Sequence, residues 1–333
     1  MSRPTMETVA ERAGVSRALV SLVMNNSPKV SDAKREAVLQ AAEELGYRPN
    51  LHARNLAQQR TKTLGMIIND IHNPFFAEVV NGVELAAEEQ GFDVLILNGG
   101  READRERRAV EMHLQFQVEA LVLVGPKLAD DDIVRASYVV PTVVVAAGRD
   151  HPAVDTITTD DELGAQLAVE HLVALGHTDI VHIDGATNIS AVPRARGYEK
   201  AMRSAGLEPR VFRGGDAEAD GEEPVVEMVE TAQIPTAIFA FNDLVAAGGL
   251  STLDSAGLRV PDDVSVVSYD NTFIAALSHM SLTAVNQPRE QMGRLAVRTI
   301  LERIEDGRTE PARIELAPTL AVRGSTAPPR RRR

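Results

Sequence analysis

The sequence predicts a small all-α head followed by two doubly wound α/β subdomains, each built on a parallel sheet. The first 50 residues hold three short stretches of helical periodicity. From Thr63 onward, apolar runs alternate with amphipathic stretches, and the same alternation restarts near Asp160. Repeated strand–helix units of this kind indicate parallel sheets with helices on both faces. With 333 residues, the chain has room for two or three domains.

The composition excludes several classes of protein. Apolar residues make up 44% of the chain, which is ample for packed cores. The chain has no run of 18 or more apolar residues, the length that a membrane-spanning helix needs, and its N-terminus lacks the apolar core of a signal peptide. It contains no cysteine, so disulfides and thiol chemistry are excluded. We therefore expect a cytoplasmic protein.

The segment from Thr5 to Asn25 reads as two short helices joined by a tight turn. Thr5 can cap the first helix, and Glu7 in its first turn suits the positive end of the helix dipole. Gly14 supplies the turn, where a left-handed backbone costs glycine little, and Ser16 can cap the second helix. This arrangement is a helix-turn-helix, whose second helix enters the DNA major groove. On these residues alone, a plain helical hairpin in a core is an equally good interpretation.

A third helix is expected from Ser31, with Gly46 as its C-terminal stop. Its predicted apolar face consists of Ala33, Ala37, Val38, Ala41 and Leu45.

Four short motifs at fixed spacing decide between the two interpretations. They are V-A-x-x-A-G-V-S (residues 9–16), V-S-x-V-x-N (20–25), L-G-Y-x-P-N (45–50) and A-R-x-L (53–56). With these motifs the chain strongly resembles the LacI/GalR family of bacterial transcription regulators, and the resemblance continues to about residue 323. The resemblance implies a DNA-binding head of about residues 1–60 and an effector-binding and dimerisation domain of about residues 61–327.

The resemblance also implies which residues contact DNA. In the family, the positions matching Arg17, Ala18 and Leu22 choose the operator. Arg17 can chelate a guanine edge, or alternatively a phosphate, and Ala18 can touch a thymine methyl. Leu22 stands where the family usually has arginine, so we expect an operator unlike the family's commonest half-site. The residues expected at the DNA are Thr5, Ser16, Arg17, Ala18, Ser21, Leu22, Asn25, Asn50, Ala53, Arg54 and Leu56.

The charge distribution suits a DNA-binding head. The whole chain has a formal net charge of −13. Residues 1–62, however, hold ten basic and six acidic residues, a net charge of +4, which leaves −17 for the remainder. A small basic head on an acidic body fits a DNA-binding module whose body does not adhere to DNA.

A hinge helix is expected over residues 50–58. Its length of about two turns is below the roughly 12–15 residues that an isolated helix needs in water, so it should fold only on DNA, beside its dimer mate. In the family this helix lies in the minor groove, and the leucine matching Leu56 pries open the central base step. The alternative for Leu56 is an ordinary buried leucine.

The body alternates strands and helices. Strands are expected at residues 64–69, 92–98, 120–125, 141–147, 180–184, 237–242 and 264–270, and helices at 74–90, 101–117, 161–175, 194–205, 243–256 and 293–305. The resemblance implies a fold of periplasmic-binding-protein type with an effector cleft between the subdomains. We expect one subdomain from about residues 63–160 and 289–318, and the other from about 161–288 and 319–327. The chain should then cross between them near Thr159, Asn286 and Pro318.

The effector should bind at strand ends that face the cleft. The family positions that line this pocket correspond to Asn73, Phe75, Asp160, Arg194, Asn242 and Asp270. Phe75 could instead be a core residue, and Asp160 or its neighbour Asp161 could merely hold the crossover. Asp243 should cap the following helix. Ser268 replaces the family's usual glycine. Met280 replaces the usual proline of a later loop, so the resemblance does not predict the conformation of that loop.

The sequence gives little support for catalysis, phosphate binding or metal binding. No phosphate-binding glycine loop, nucleophile elbow or metal-ligand motif is present, so we expect neither an enzyme nor a cofactor. His177 and His182 read as a turn residue and a strand residue. The tail, residues 328–333, should be a disordered basic segment. It lacks the leucine heptads of tetrameric family members, which favours a homodimer.

The resemblance and the hinge argument together predict a dimeric transcriptional repressor that binds a pseudo-palindromic DNA operator and responds to a small molecule. A carbohydrate is the expected effector, and a nucleoside or nucleobase is the alternative. A sugar-binding protein without a regulatory role is the less favoured class, since it would need an export signal and no head.

Leu56→Ala is expected to remove specific DNA affinity while the head stays folded, because alanine is too small to wedge a base step apart. The measurement is titration of both proteins with an operator selected from random duplexes, with circular dichroism as the folding control. Unchanged operator binding by the variant would contradict the hinge hypothesis.

Overall fold

The structure, a computed structural model, describes residues 4–24, 27–48, 60–148 and 153–330. Its contacts divide the chain into two units, residues 1–61 and 62–333. The predicted hinge, with Asn50, Ala53, Arg54 and Leu56, lies outside the described residues, as does Asn25.

The first unit contains three helices: α1 (Met6–Ala13), α2 (Arg17–Met24) and α3 (Asp32–Leu45). Thr5 caps α1, since its hydroxyl accepts a hydrogen bond from the Thr8 amide, 3.3 Å away. Gly14 and Gly46 end α1 and α3 with φ of 65° and 62°, a left-handed backbone that favours glycine. The helices enclose a small core of Val9, Ala10, Val20, Val23, Val30, Val38, Ala41 and Ala42.

Two residues expected on the apolar face of α3 are not buried. Ala33 and Ala37 are exposed, whereas Val38, Ala41 and Ala42 face the core. Alanine suits either face of a helix, because it has high helix propensity and little apolar surface, so it marks a buried face poorly.

The second unit contains two six-stranded sheets, and the first sheet is wholly parallel. Its strands are β1 (Thr63–Ile68), β2 (Asp93–Asn98), β3 (Ala120–Val124), β4 (Thr142–Val145), β5 (Asp155–Thr159) and β11 (Arg313–Leu316). They lie in the order β11-β5-β4-β3-β1-β2. On one face pack α4 (Pro74–Glu89) and α12 (Arg289–Ile304), and on the other α5 (Ala103–Gln115) and α6 (Asp130–Ser137).

The second sheet has the same construction. Its strands are β6 (Ile180–Ile183), β7 (Arg210–Phe212), β8 (Ala237–Ala240), β9 (Ser265–Asp270), β10 (Thr283–Asn286) and β12 (Thr319–Ala321), in the order β12-β10-β9-β8-β6-β7. β12 pairs antiparallel with β10, and the other pairs are parallel. One face carries α7 (Asp161–Ala174) and α8 (Ala191–Ser204), and the other α9 (Ala219–Glu230), α10 (Asp243–Ser255) and the short α11 (Phe273–Ala276). The predicted α/β class with two doubly wound sheets is confirmed.

The chain passes from one sheet to the other three times. It leaves β5 for α7 between residues 159 and 161, returns from β10 to α12 between 286 and 289, and leaves β11 for β12 between 316 and 319. The first sheet therefore combines its early strands with one strand, β11, from near the C-terminus. None of the helices among the described residues is long and apolar enough to cross a membrane.

The sequence places Arg330 in a disordered tail, and the structure differs. The Arg330 guanidinium pairs with Asp262 and Asp263, 3.0 Å and 3.3 Å away. The ordered chain therefore extends past residue 327. Two prolines followed by arginines form a pattern that predicts disorder. This pattern cannot show that the fold places two aspartates, Asp262 and Asp263, beside Arg330.

Glycines set the distance between α9 and α10. A Cβ on Gly248 would lie 2.0 Å from the backbone oxygen of Glu218, and a Cβ on Gly221 would lie 2.0 Å from that of Val245. No side chain fits at these distances, so the two backbones touch directly. Gly249, the next residue of α10, has its nearest neighbour at an ordinary 3.5 Å.

Gly248→Ala is expected to lower the free energy of unfolding by about 1–3 kcal/mol, the usual effect of overpacking, because the helices must move apart. Gly249→Ala is the matched control on the same helix. It has room for a methyl group and should keep or raise stability by about 0.5–1 kcal/mol. Urea unfolding of both variants measures the difference, and equal effects would contradict this account of the packing.

Candidate functional site

One face of α2 is open to solvent. Arg17 and Ala18 are exposed, Leu22 is 41% exposed, and Ser21 is half-buried on the same face. The opposite face, with Val20 and Val23, is buried in the head. The residues expected to read base edges therefore share the outer face of the second helix of a helix-turn-helix.

Thr5 and Ser16 contribute differently to this surface. Thr5 caps α1, and the Ser16 hydroxyl accepts a hydrogen bond from the Leu19 amide at 3.2 Å, at the start of α2. Both hydroxyls thus fix where the helices begin. Their expected contact with DNA stays a prediction.

A cleft of about 340 Å³ lies in the second unit, and both sheets contribute to its walls. Its lining residues follow the carboxyl ends of strands. From the first sheet come Asn69 and Asp70 after β1, Arg101 after β2, and Gly125 to Lys127 after β3. From the second come residues 187–190 after β6, Asp216 after β7, Phe241 and Asn242 after β8, and Asp270 at the end of β9.

The start of α4 brings two phenylalanine rings to the cleft. Asn73 caps this helix, since its Oδ1 accepts a hydrogen bond from the Phe75 amide at 2.9 Å. Phe75 and Phe76 pack edge to face, with ring centroids 5.4 Å apart. Phe75 belongs to the buried cluster under the first sheet and also lines the cleft. It can therefore pack in the core and still face a ligand in the cleft.

Arg194 is the most thoroughly held charge in the cleft. Its Nε donates to Asp161 Oδ1 at 2.9 Å, and its Nη1 donates to the Phe241 carbonyl at 2.7 Å. Its guanidinium lies 3.6 Å from the centroid of the Tyr269 ring and 3.9 Å from Asp270. The side chain is only 6% exposed, so its guanidinium is held in a fixed direction.

Asp270 lies beside the Arg194 guanidinium and is itself held by two neighbours. Gln287 Nε2 donates to its Oδ1 at 2.6 Å, and Arg289 donates to its backbone oxygen. Burial raises the pKa of the Asp270 carboxyl above its ordinary value, while the charge of Arg194 acts in the opposite direction. The residue has a φ of 97°, a backbone conformation that favours glycine.

An ion pair spans the cleft at its mouth. Arg101, from the first sheet, pairs with Asp216, from the second. Asp216 also accepts a hydrogen bond from Asn188 Nδ2 at 2.9 Å. Burial and then the charge of Arg101 lower the pKa of Lys127, which lies on the same wall. The lining of the cleft thus combines basic side chains, carboxylates, amides and phenylalanine rings.

Comparison with known proteins identifies the chain. The family description "Bacterial regulatory proteins, lacI family" matches residues 5–50, and "Periplasmic binding protein-like domain" matches residues 169–326. The chain is 35% identical to the HTH-type transcriptional repressor PurR of Aliivibrio fischeri, over 96% of this chain and 98% of that protein. The chain belongs to the LacI family.

Solved structures of this LacI-family protein's relatives agree in fold. The lac repressor dimer bound to operator and the anti-inducer ONPF is 29% identical, with a TM-score of 0.86 over 98% of this chain and 100% of that one. The transcriptional regulator CelR in complex with cellobiose is 34% identical, with a TM-score of 0.72 over 97% and 100% of the two chains. The protein is thus a DNA-binding transcriptional repressor of the LacI family and not an enzyme.

The cleft of this LacI-family repressor corrects one expected contact. Asp160 does not line the cleft, because its carboxylate caps α7 by accepting from the Leu163 amide at 2.8 Å. The next residue, Asp161, lines the cleft and pairs with Arg194. Two adjacent aspartates at a helix start look alike in sequence, and only the direction of the first turn separates the cap from the residue that lines the cleft.

The expected roles of Asn242 and Asp243 change in one respect. The cap of α10 is Asn242 and not Asp243, since Asn242 Oδ1 accepts from the Val245 amide at 2.8 Å. The expected contact of Asn242 with the effector stays a prediction. Asn242 Nδ2 donates to the Asp216 carbonyl at 3.0 Å, so the residue lines the cleft with its polar atoms already engaged. Asp243 lies beneath the cleft, where it accepts from Ser268 Oγ and from both the amide and hydroxyl of Thr272.

Several lining residues were not predicted, among them Arg101, Lys127, Asn188, Asp216 and Gln287. A usable signal did exist, since most of these residues follow predicted or short strands at their carboxyl ends. The sequence does not show which of these residues pair with one another across the cleft. Arg101 and Asp216 are far apart in the chain, and only the folded arrangement of the two sheets brings them together.

Asp243→Asn is expected to flatten the pH dependence of stability. Burial, and next the charge of Asp270, raise the pKa of Asp243 above its ordinary value, although its three hydrogen bonds act in the opposite direction. A raised carboxyl pKa stabilises the fold most at low pH, and this contribution is lost as pH rises from about 4 toward neutral. Asparagine can keep the contacts with Thr272 and Ser268 without titrating.

The measurement is urea unfolding of both proteins between acidic and neutral pH. The difference in unfolding free energy, native minus variant, should fall as pH rises. A constant difference would contradict the raised pKa.

Proposed function

We propose that this repressor binds a pseudo-palindromic operator as a homodimer in the cytoplasm, and that a carbohydrate in the cleft controls its DNA affinity. The observation that carries the effector assignment is the lining of the cleft. It sets Asp161, Arg194 and Asp270 on one side and the Phe75 ring on another. Sugar hydroxyls both donate and accept hydrogen bonds, and the apolar face of a sugar ring packs on an aromatic ring.

One solved relative supports this class of ligand. The CelR structure was solved with cellobiose, and that protein matches this chain over nearly its whole length. A second candidate is a nucleoside or nucleobase. It is favoured by the three phenylalanine rings Phe75, Phe76 and Phe241, which could stack on a base, and by the amide of Asn188 beside them.

The edge of the first sheet supports a homodimer. β2 is the terminal strand of that sheet, so one side of its backbone is not covered by a neighbouring strand. Four successive apolar residues, Val94 to Leu97, lie on it and are only partly buried. An apolar edge strand of this kind needs a cover, and a second copy of the chain supplies one.

The mechanism that we propose links the cleft to the DNA through the hinge. Ligand changes the relative angle of the two subdomains, and this change moves the paired hinge segments of the dimer together or apart. Because a helix as short as residues 50–58 folds only with support, a small movement alters the DNA affinity. Coupling of about 1–3 kcal/mol between two such sites is typical.

The test is a thermal-shift screen of the purified protein against sugars, sugar phosphates, nucleosides and small acids. A ligand at about 100 times its dissociation constant should add roughly 2.7 kcal/mol to the stability, a readable shift. Asp270→Asn should reduce or abolish the shift from a sugar. Asp131→Asn, an exposed residue of α6 outside the cleft, is the matched control and should keep it.

Two outcomes would contradict the proposal. A shift that survives Asp270→Asn and Arg194→Lys would place the ligand outside the cleft, and a response to nucleosides but to no sugar would favour the second candidate. A protein that lacks residues 1–60 should respond like the full chain, since the cleft lies entirely within residues 62–333.

A further inference from the structure

Two side chains tie the sheets together where the chain returns from β10 to α12. The first is Gln287. Its Oε1 accepts from the Thr159 hydroxyl at the end of β5, 2.8 Å away, and its Nε2 donates to Asp270 Oδ1 at the end of β9, 2.6 Å away. This link runs through the carboxylate itself, inside the cleft.

The second side chain is Arg289, which does not line the cleft. It is the first residue of α12, and α12 packs on α4 with direct backbone contact. A Cβ on Gly82 would lie 2.2 Å from the Glu290 oxygen, and a Cβ on Gly293 would lie 2.3 Å from the Val79 oxygen. Such contact leaves little freedom, so the start of α12 moves with α4 as one body.

The Arg289 guanidinium joins this body to the second sheet. Its Nε donates to Glu78 Oε2 on α4 at 2.7 Å. Its two terminal nitrogens donate to the backbone oxygens of Asp270 and of Asn271, the latter at 2.8 Å. Arg289 itself is 8% exposed, so its bonds to the two carbonyls are shielded from water, whereas its partner Glu78 is partly exposed.

The segment that Arg289 holds has an unfavourable backbone. Asp270 and Asn271 are consecutive non-glycine residues with φ of 97° and 56°. This conformation persists only where surrounding contacts impose it. Within the second sheet, Asn286 and Arg323 bind the Asn271 side chain at 2.8 Å and 2.5 Å. Arg289 holds the carbonyls of the same two residues from the side of the first sheet.

We propose that Arg289 is a positioning residue that couples the direction of the Asp270 carboxylate in the cleft to the placement of α4, and hence of the first sheet. A rotation between the sheets pulls on the two carbonyls and turns the carboxylate. Conversely, a ligand that binds the carboxylate acts on α4 through the same guanidinium. The proposal rests on the proposed function only in treating Asp270 as an effector contact.

The ion pair at the mouth of the cleft fits this role less well. Arg101 also joins the sheets by pairing with Asp216, and, like the Arg289–Glu78 pair, this pair has one partly exposed member. Among the contacts of the described residues, Arg101 does not bind the backbone at Asp270, whereas Arg289 binds it directly.

The test measures the distance between the sheets in the protein without ligand. Because the chain contains no cysteine, Glu84→Cys on α4 and Lys200→Cys on α8, both exposed, accept two spin labels and no others. Double electron–electron resonance then gives the distance distribution. A large excess of unlabelled protein ensures that a dimer holds one labelled copy.

Arg289→Gln is expected to broaden this distribution, because the second sheet loses its link to α4. Arg289→Lys keeps the charge but cannot bind both carbonyls and Glu78 together, so its distribution should be intermediate. Glu78→Gln should also broaden the distance distribution. The double variant, with Glu78→Gln and Arg289→Gln together, should give a distribution no broader than that of Arg289→Gln alone. Such non-additivity is the mark of a single link.

The matched control is Arg294→Gln, on the same helix. Arg294 pairs with Glu89 and Glu290, both on the side of the first sheet, so its loss should leave the distribution unchanged. Equal broadening by Arg294→Gln, or an unchanged distribution in folded Arg289→Gln, would overturn the proposal. Should Arg289→Gln fail to fold, Glu78→Gln and Arg289→Lys decide the question. No ligand is needed, so failure here is distinguishable from failure of the effector assignment.

Discussion

Parallel pairing places the carboxyl end of every strand at one edge of its sheet, and the cleft follows from this constraint. Each strand must be followed by a loop at that edge before a helix returns the chain. With two such sheets joined by three crossings, both sets of loops face one space. The polar residues of the cleft therefore lie at strand ends, in loops and in the first turns of helices, as Asp270, Asn69 and Arg194 do.

Charge inside the cleft is held in place before any ligand arrives. Arg194 has a carboxylate, a carbonyl and two ring faces around it, and Asp270 has an amide and an arginine. Side chains fixed in this way lose little conformational freedom when they bind a ligand, so less of the binding energy is spent on ordering them. The contacts of Asp270 with Gln287 and Arg289 also connect the two sheets, so this cleft residue takes part in placing one sheet against the other.

Much of this fold is visible in the sequence, and the exceptions have physical reasons. The long apolar strands β1, β3 and β9 stand out, whereas β5 is rich in threonine and β7, β11 and β12 are three or four residues long. α9 was not predicted, because Pro224 and Gly221 lie within it and hide its helical pattern. Within the cleft, the resemblance supplied Arg194 and Asp270. It could not tell Asp160 from Asp161, since the choice depends on one turn of helix, nor could it pair residues across the two sheets.

The return of the chain to the first sheet has a consequence for biosynthesis. α12 and β11 come from residues 289–316, so α4 and β5 lack their neighbours until most of the chain has been made. The second sheet, by contrast, receives five of its six strands from the continuous stretch between β6 and β10. A nascent chain can therefore complete the head and most of the second subdomain while the first subdomain still exposes one helix-binding face. The cleft, which needs both sheets, can form only after these late residues have been made, and a transcript that ends early yields a head without a complete cleft.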